Sequence, residues 1–264
     1  MDFELKDKTA LVTGSTAGIG YAIAKTLALE NVKVYLNGRS TERVNEAVKK
    51  LQQETGKTTI EGVAADFSKA EDVESLLAEI PEVDILINNV GIFEPKPFEE
   101  ITDTDWMKFF EVNVMSGIRL SRVYLQKMLD KNWGRIIFIS SESAINIPQE
   151  MIHYGMTKTA QLAVSRGLAE LTKGKNVTVN SVLPGPTLSE GVGGFIQDLA
   201  NKQSKSIEQV EDDFFKEMRP TSIIQRFTSP QEIANMVCFI SSPLSAGTNG
   251  AALHVDGGVV KSII

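Results

Sequence analysis

Tyr154 and Lys158 are the two side chains in this sequence whose types and spacing most directly suggest proton chemistry. They stand four positions apart in HYGMTK (153–158), a stretch without proline, so in a helix both would lie on one face about a turn apart. A phenol has a pKa of about 10, and an ammonium within about 4–6 Å lowers it by roughly 1–3 units, toward the range useful for acid/base exchange. A solvent-exposed helix face has the same spacing, so the pair alone does not distinguish the two interpretations.

A glycine-rich turn follows the first strand-like run, in TGSTAGIG (13–20). Glycines between a strand and a helix allow close backbone approach and leave free N–H groups at the helix N-terminus, which is what a phosphate group needs. The turn is not a Walker-type loop, because Ile19 stands where that loop has its second glycine and no lysine follows directly. The spacing predicts a mononucleotide or dinucleotide cradle that is wider than GxGxxG.

Strand and helix patterns alternate along the whole chain. Such alternation is typical of a doubly wound, Rossmann-like α/β fold, with a parallel sheet, right-handed crossovers and helices on both faces. We predict one domain over residues 1–264 and seven parallel strands. The strand-like runs cover residues 9–13, 32–36, 59–65, 83–87, 135–140, 177–183 and 251–255. The helix-like runs cover residues 21–30, 41–54, 70–80, 106–129 and 158–172.

Residues 188–227 interrupt this alternation with two modest helix-like pieces. An insertion of this size in a compact fold is more often functional than a linker, so we predict a substrate lid; the alternative is a surface excursion that packs its own small core. The apolar residues that would line a pocket beneath it are Phe195, Ile196, Leu199, Phe214, Phe215 and Met218.

The composition limits the classes of molecule that this protein is expected to bind. With 264 residues and 42% hydrophobic residues the chain can bury one large core, and its net charge of −7 offers no basic footprint for nucleic acid or anionic membranes. The one cysteine, Cys238, supplies neither a disulfide framework nor a metal cluster, and no metal site is predicted. No signal-peptide or membrane-spanning pattern is present, so we expect a cytoplasmic protein that acts on small molecules.

Six features in register resemble the short-chain dehydrogenase/reductase family, in its single-domain branch of about 250 residues. Besides the 13–20 turn and the Tyr154/Lys158 pair, they are Asp66 after the third strand, NNVG (88–91) after the fourth, Asn113 in the next helix, and LPGPT (183–187) after the sixth. Ser141, in ISS after the fifth strand, completes the family order. The resemblance covers nearly the whole chain and implies oxidoreduction with a nicotinamide cofactor.

The resemblance also implies residue roles. Tyr154 would be the general acid/base, Ser141 would position the substrate oxygen, Lys158 would bond the nicotinamide ribose, and Asn113 would relay protons through water. Ser141 rather than Ser140 is chosen because it stands thirteen residues before Tyr154. The positions expected to hold the cofactor are Gly14, Ser15, Thr16, Ala17, Gly18, Ile19, Gly20, Arg39, Ser40, Asp66, Phe67, Asn89, Val90, Gly91, Tyr154, Lys158, Pro184, Gly185 and Thr187.

The end of the second strand bears on the choice of cofactor. A free ribose 2′-hydroxyl usually meets a carboxylate there, whereas a 2′-phosphate needs a cation. This chain has Asn37 and Gly38 at that place and Arg39 directly after, which favours NADP(H). Ser40 adds a hydroxyl there or caps the following helix. The alternative is a solvent-exposed Arg39 and use of NAD(H).

The substrate and the assembly are less defined. Glu142, Ser143 and Gln149 stand where the family commonly has small apolar or glycine residues, which hints at a polar or hydroxylated carbonyl or alcohol. The chain resembles 3-oxoacyl-acyl-carrier-protein reductases in outline, but EQVEDD (208–213) disfavours an acidic carrier protein. His153 adjoins Tyr154 but its side chain would point about 100° away from that of Tyr154, so we assign it to the helix start or substrate loop.

The alternative function is a dinucleotide-sensing binding protein without turnover. The resemblance implies a homotetramer, with a dimer as the alternative, and the apolar C-terminal residues fit either packing against a neighbour or folding back.

Overall fold

A seven-stranded parallel sheet lies at the centre of the computed structural model, which describes residues 2–203 and 205–263. Its strand order is β3-β2-β1-β4-β5-β6-β7, so the chain reverses its direction of growth between β1 and β4. The predicted fold class is confirmed. Each predicted strand begins and ends within two residues of the corresponding observed strand. The strands are β1 Thr9–Val12, β2 Lys33–Gly38, β3 Ile60–Ala64, β4 Ile85–Asn88, β5 Gly134–Ile139, β6 Val177–Pro184 and β7 Ala252–Val255.

The central strands are buried at every position because helices cover both faces of the sheet. All residues of β4, β5 and β6 are buried. One core cluster joins the sheet to α1, α2 and α9, and a second joins it to α3, α5 and α6. The helices are α1 Gly18–Leu29, α2 Thr41–Thr55, α3 Ala70–Glu79, α4 Asp103–Phe110, α5 Ser116–Lys131, α6 Ile152–Glu170, α7 Glu190–Gln203, α8 Ile207–Glu217 and α9 Pro230–Ser241.

The predicted helix over 106–129 is interrupted. Between α4 and α5, residues Glu111–Met115 form a turn of π-helix, and Asn113 lies at its middle. A π turn accommodates one extra residue and is frequently found at functional sites. The hydrophobic period of the sequence does not reveal it, because the apolar face resumes after the turn.

The 188–227 segment contains α7 and α8 and has a small core of its own, in which Phe215 packs against Phe214 and Phe227. It leaves and re-enters the fold at one point, where Thr187 and Thr228 form a bridge and their hydroxyl oxygens lie 2.9 Å apart. The Phe195 and Leu199 side chains lie outside the described part of the chain. None of the described helices combines the length and apolar character that a bilayer-spanning segment needs.

Candidate active site

The C-terminal ends of the strands bring the predicted site residues to one edge of the sheet. A cavity of about 580 Å³ opens there, between this edge and the 188–227 segment. Nine of the predicted residues line it, namely Ile19, Asn89, Gly91, Ser141, Tyr154, Lys158, Pro184, Gly185 and Thr187. Ile196, Phe214 and Met218 contribute to the wall from the 188–227 segment, whereas Phe215 lies in that segment's core.

Helix α6 places the half-buried Tyr154 in its first turn and the buried Lys158 one turn later. Lys158 is 4% exposed, which excludes the solvent-exposed helix face as the meaning of the spacing. Its ammonium lies 5.7 Å from the centre of the Tyr154 ring and donates to the Ile139 carbonyl at 2.9 Å and to Gln161 Oε1 at 3.3 Å. Gln161 had no sequence signal beyond its place three residues after Lys158.

Burial, rather than mutual attraction, controls the ionisation of this pair. Desolvation raises the pKa of Tyr154 to about 12, against the opposing effect of the Ser141 hydroxyl. Desolvation also lowers the pKa of Lys158 to about 7, so near neutral pH this lysine is charged only part of the time. The expectation that Lys158 holds the pKa of Tyr154 below its usual value is therefore wrong, because desolvation of the phenol outweighs the interactions that favour its ionised form.

The two serines after β5 have different partners. The Ser140 hydroxyl donates to the Lys158 carbonyl at 2.9 Å and is thereby committed to holding α6. The Ser141 hydroxyl accepts the Ser143 N–H at 3.1 Å and keeps its own proton for another acceptor. The geometry thus favours Ser141 as the group that meets a substrate oxygen.

Asn113 connects the π turn to the loop after β4 and to α6. It is fully buried, and its side-chain amide donates to the Ile92 carbonyl and to Thr157 Oγ1, both at 3.0 Å, while its oxygen accepts the Ile92 N–H. Its backbone carbonyl accepts the Gln161 side-chain amide at 2.6 Å. Asn113 therefore fixes the position of α6 and does not line the cavity itself.

The glycine turn has the shape of a phosphate cradle. Gly14 has φ +60°, and a Cβ at Gly20 would lie 2.5 Å from both Asn89 Nδ2 and the Gly14 carbonyl oxygen, so neither position tolerates a side chain. Ala17 precedes α1, and its methyl side chain cannot cap the helix. The first N–H groups of α1 are therefore left for a ligand. The residues present therefore fit the pyrophosphate of a dinucleotide.

Some predicted cofactor residues turn their side chains away from the cradle. Ser15 is fully buried, its hydroxyl donates to the Val12 carbonyl at 2.6 Å and its backbone N–H donates to the Asn37 carbonyl at 2.8 Å, so Ser15 shapes the turn and offers no free donor to a ligand. Phe67 is buried in the sheet core, and Val90 packs beside Gly14. Thr16 faces Gly38 across the turn, where a Cβ on Gly38 would lie 2.6 Å from Thr16 Cγ2.

The end of β2 carries no carboxylate that could meet a ribose hydroxyl. Asn37 does not face this rim; it is 1% exposed, and its side-chain oxygen accepts the Gly14 N–H at 3.1 Å. Arg39 is exposed directly after the strand. Ser40 caps α2 by accepting the Arg43 N–H, the structural role considered for it. Burial opposes ionisation of Asp66, but hydrogen bonds from Ser68 and the nearby Arg39 hold the pKa of Asp66 below its usual value.

Several residues at the site had weak sequence signals or none. His153 is fully buried at the start of α6, and its ring centre lies 4.1 Å from that of Phe109, so it is a packing residue rather than a base exposed to the cavity. Arg219 reaches from the 188–227 segment to Glu142 and Glu150. The described residues contain no group of three His, Cys, Asp or Glu side chains arranged to hold a metal ion.

The lowered pKa of Lys158 predicts a pH-dependent stability. Its pKa is about 7 in the folded protein and about 10.4 in the unfolded chain, so between these values the unfolded chain holds a proton that the folded state has lost. Stability must then rise with pH in that window. We expect the free energy of unfolding of the wild type, relative to Lys158→Met, to increase by about 2 kcal/mol from pH 7 to pH 9 in urea titrations. The exposed Lys49→Met is the matched control, and a pH-independent difference for Lys158→Met would contradict the assignment.

Comparison with known proteins decides the family. A family model described as short chain dehydrogenase matches residues 8–199. The chain belongs to the short chain dehydrogenase family. It is 52% identical over 263 residues to the uncharacterised oxidoreductase YvaG of Bacillus subtilis (strain 168), with both chains covered completely. It is 33% identical over 264 residues to the 3-oxoacyl-[acyl-carrier-protein] reductase FabG of Aquifex aeolicus (strain VF5), covering 98% of this chain and 100% of that protein.

Solved structures of this family agree with the fold and the cofactor class. L-Sorbose reductase from Gluconobacter frateurii, complexed with NADPH and L-sorbose, superposes with a TM-score of 0.92 at 30% identity, and both chains are covered completely. Short chain dehydrogenases use nicotinamide cofactors, so this protein is a nicotinamide-dependent oxidoreductase. The expectation that NADP(H) is favoured, with NAD(H) as the alternative, is consistent with the NADPH complexes among these structures.

Proposed function

We propose that this protein transfers hydride between NADP(H) and a carbonyl or secondary alcohol, with Tyr154 as the general acid/base. The observation that carries the proposal is that Tyr154 and Ser141 line one cavity, with Lys158 buried a turn from Tyr154. When bound, the nicotinamide supplies or accepts the hydride. The chain's own task is then to orient the substrate, exclude water and move one proton.

Each residue has a distinct part in this mechanism. In reduction, the Tyr154 hydroxyl donates its proton to the substrate oxygen, which the Ser141 hydroxyl holds in place. A Tyr154 pKa of about 12 keeps that proton on the phenol until the substrate oxygen develops negative charge. Lys158 bonds the nicotinamide ribose, and Asn113 keeps α6 and the loop after β4 in register. We also propose that Asn113 takes part in a proton relay through water.

Cofactor selection rests on the charge at the rim of the cradle. Arg39 is exposed where a 2′-phosphate would lie, and Gly38 has no room for a side chain. A guanidinium binds phosphate through charge-assisted hydrogen bonds, which supports NADP(H) over NAD(H). The glycine turn with Asp66, Asn89 and the 184–187 loop would hold the rest of the dinucleotide.

The 188–227 segment is proposed as the substrate lid. It covers the cavity that Tyr154 lines, and the Thr187–Thr228 bridge holds its two ends together, so the whole segment could move as one unit about this bridge.

We also propose a cytoplasmic homotetramer. Val259 is buried within its own chain, whereas Ile263 is fully exposed and available to a neighbour.

The test is NADPH oxidation and NADP⁺ reduction with a panel of ketones, aldehydes, sugars and secondary alcohols. Turnover that depends on Tyr154 supports the proposal. Dinucleotide binding without turnover of any panel member would favour the dinucleotide-sensing alternative.

A further inference from the structure

A cluster of three charged side chains, Arg219, Glu142 and Glu150, lies in the cavity beside the proposed catalytic groups; the first two are buried and Glu150 is partly exposed. The Arg219 Nε–H donates to Glu142 Oε1 at 3.0 Å, and its Nη1 lies 3.6 Å from Glu150 Oε1. Arg219 is 9% exposed and Glu142 3%. All three residues line the same cavity as Tyr154.

A contribution to folding stability does not explain why these charged residues lie together at this place in the cavity. Burying an ion pair costs desolvation energy that its attraction rarely exceeds, and an apolar pair of similar volume would serve folding equally well. Yet Glu142 directly follows Ser141, Glu150 precedes Tyr154 by four residues, and Arg219 comes from the 188–227 segment. The cluster therefore joins the proposed lid to both segments that would hold the substrate oxygen.

Glu142 retains unused hydrogen-bonding capacity. Its second oxygen, Oε2, is buried and has no well-formed hydrogen bond from the described residues, although the neighbouring Ser143 side chain interacts favourably with the carboxylate. A buried acceptor without a donor is costly, and a hydroxyl group brought by a ligand could supply the missing bond after a small rotation of the side chain. Burial raises the pKa of Glu142, and the Arg219 guanidinium opposes that shift by favouring the ionised form. An ionised carboxylate can only accept, so the ligand group that it selects must be a hydrogen-bond donor.

The charge balance at this end of the cavity disfavours anions. Two carboxylates face one guanidinium, and Asp256 adds a further negative charge that acts on Glu142. Lys158, the other basic residue among the described residues that line the cavity, donates to the Ile139 carbonyl and Gln161. The remaining walls are largely apolar and include Phe93, Met151 and Phe214. The site thus combines one acceptor for a hydroxyl with room for a hydrocarbon body.

We propose that Glu142, held in place by Arg219, selects neutral substrates that carry a second hydroxyl close to the reacting carbon on an otherwise apolar body. This inference rests on the proposed function, because it concerns the substrate of the same site. It places the second hydroxyl near the reacting carbon because Glu142 is the direct neighbour of Ser141. Vicinal diols and the corresponding α-hydroxy ketones are the simplest members of this class.

Three alcohols with one ring test the inference: cyclohexanol, 1,2-cyclohexanediol (cis and trans) and trans-2-hydroxycyclohexanecarboxylate. They carry hydrogen, hydroxyl or carboxylate beside the reacting carbon, and the trans diol matches the configuration of the carboxylate. With NADP⁺ we expect kcat/KM for the better diol isomer to exceed that for cyclohexanol by about 10- to 100-fold, the effect of one hydrogen bond to a charged group. The carboxylate should fall below cyclohexanol.

The Glu142→Gln variant should remove most of this diol advantage, chiefly through KM, and should improve the carboxylate relative to the diol. Glu217→Gln is the matched control, since it removes the same charge from an exposed position on α8. A purely structural role of Glu142 would lower kcat/KM for all three alcohols by one factor. Should Glu142→Gln fail to fold, equal wild-type kcat/KM values for the diol and cyclohexanol still overturn the inference.

The outcomes separate this inference from the proposed function. Equal kcat/KM for diol and cyclohexanol in the wild type, or a diol advantage that survives in Glu142→Gln, overturns the inference and leaves the proposed function standing. Absence of NADP⁺ reduction with all three alcohols and with the wider panel overturns the proposed function, and the inference with it.

Discussion

Replacing Tyr154 by Phe is expected to lower kcat by about 10²–10⁴-fold, the usual contribution of a positioned general acid/base. The change removes one hydroxyl from a half-buried ring and keeps the edge-on contact of that ring with Phe93. NADPH affinity should stay within about threefold, because the phosphate cradle and the rim of β2 are untouched. The measurement is cofactor absorbance during turnover, together with NADPH titration by fluorescence.

Tyr124→Phe is the matched control for this experiment. Tyr124 is fully buried on the face of the sheet that α3 and α5 cover, and its hydroxyl donates to the Ile80 carbonyl at 2.7 Å. Losing that bond should cost stability of about 1 kcal/mol and leave kcat within about twofold. Turnover that survives in Tyr154→Phe, or is lost equally in both variants, would refute the assigned role.

Arg39→Glu is expected to weaken NADPH binding by about 100-fold or more. The substitution removes a charge-assisted contact with the 2′-phosphate and puts a repelling carboxylate in its place. A 100-fold change corresponds to about 2.7 kcal/mol, within the range for hydrogen bonds to charged groups. NADH has a free 2′-hydroxyl that a carboxylate can accept, so its affinity should hold or improve. Titration of both cofactors into both proteins measures the switch.

Lys49→Glu provides the comparison for Arg39→Glu. It changes the charge by the same two units at an exposed position on α2, so a general electrostatic effect on the dinucleotide would appear in both variants. An unchanged Kd for NADPH in Arg39→Glu would show that this arginine is only a solvent-exposed residue, and NAD(H) would become the favoured cofactor.

The sheet and the positions of Tyr154 and Ser141 could be predicted from sequence because both follow from local pattern. A β-branched run predicts a strand, parallel strands share one edge for their C-terminal ends, and i, i+4 spacing fixes a helix face. The π turn at Asn113 could not be predicted, since one extra residue per turn leaves the apolar face nearly intact.

The electrostatics of the site were harder to foresee. The direction of the Tyr154 pKa shift depends on how fully the cavity excludes water, and burial is a property of the whole fold. Glu142 stood out as an unusual residue type, but its partner Arg219 lies 77 positions away on another segment. No spacing rule joins two such positions, so only the folded arrangement shows the pair.

Transfer of deuterium tests the central claim most directly. The protein is incubated with NADP⁺ and a secondary alcohol that the wild type oxidises, deuterated at the carbinol carbon. The mass of the reduced cofactor is then measured by mass spectrometry. Hydride transfer at this site predicts one deuterium atom on each reduced nicotinamide formed, at a rate that falls about 10²–10⁴-fold in Tyr154→Phe. Reduced cofactor without deuterium, or labelling that is equally fast in Tyr154→Phe, would contradict the account.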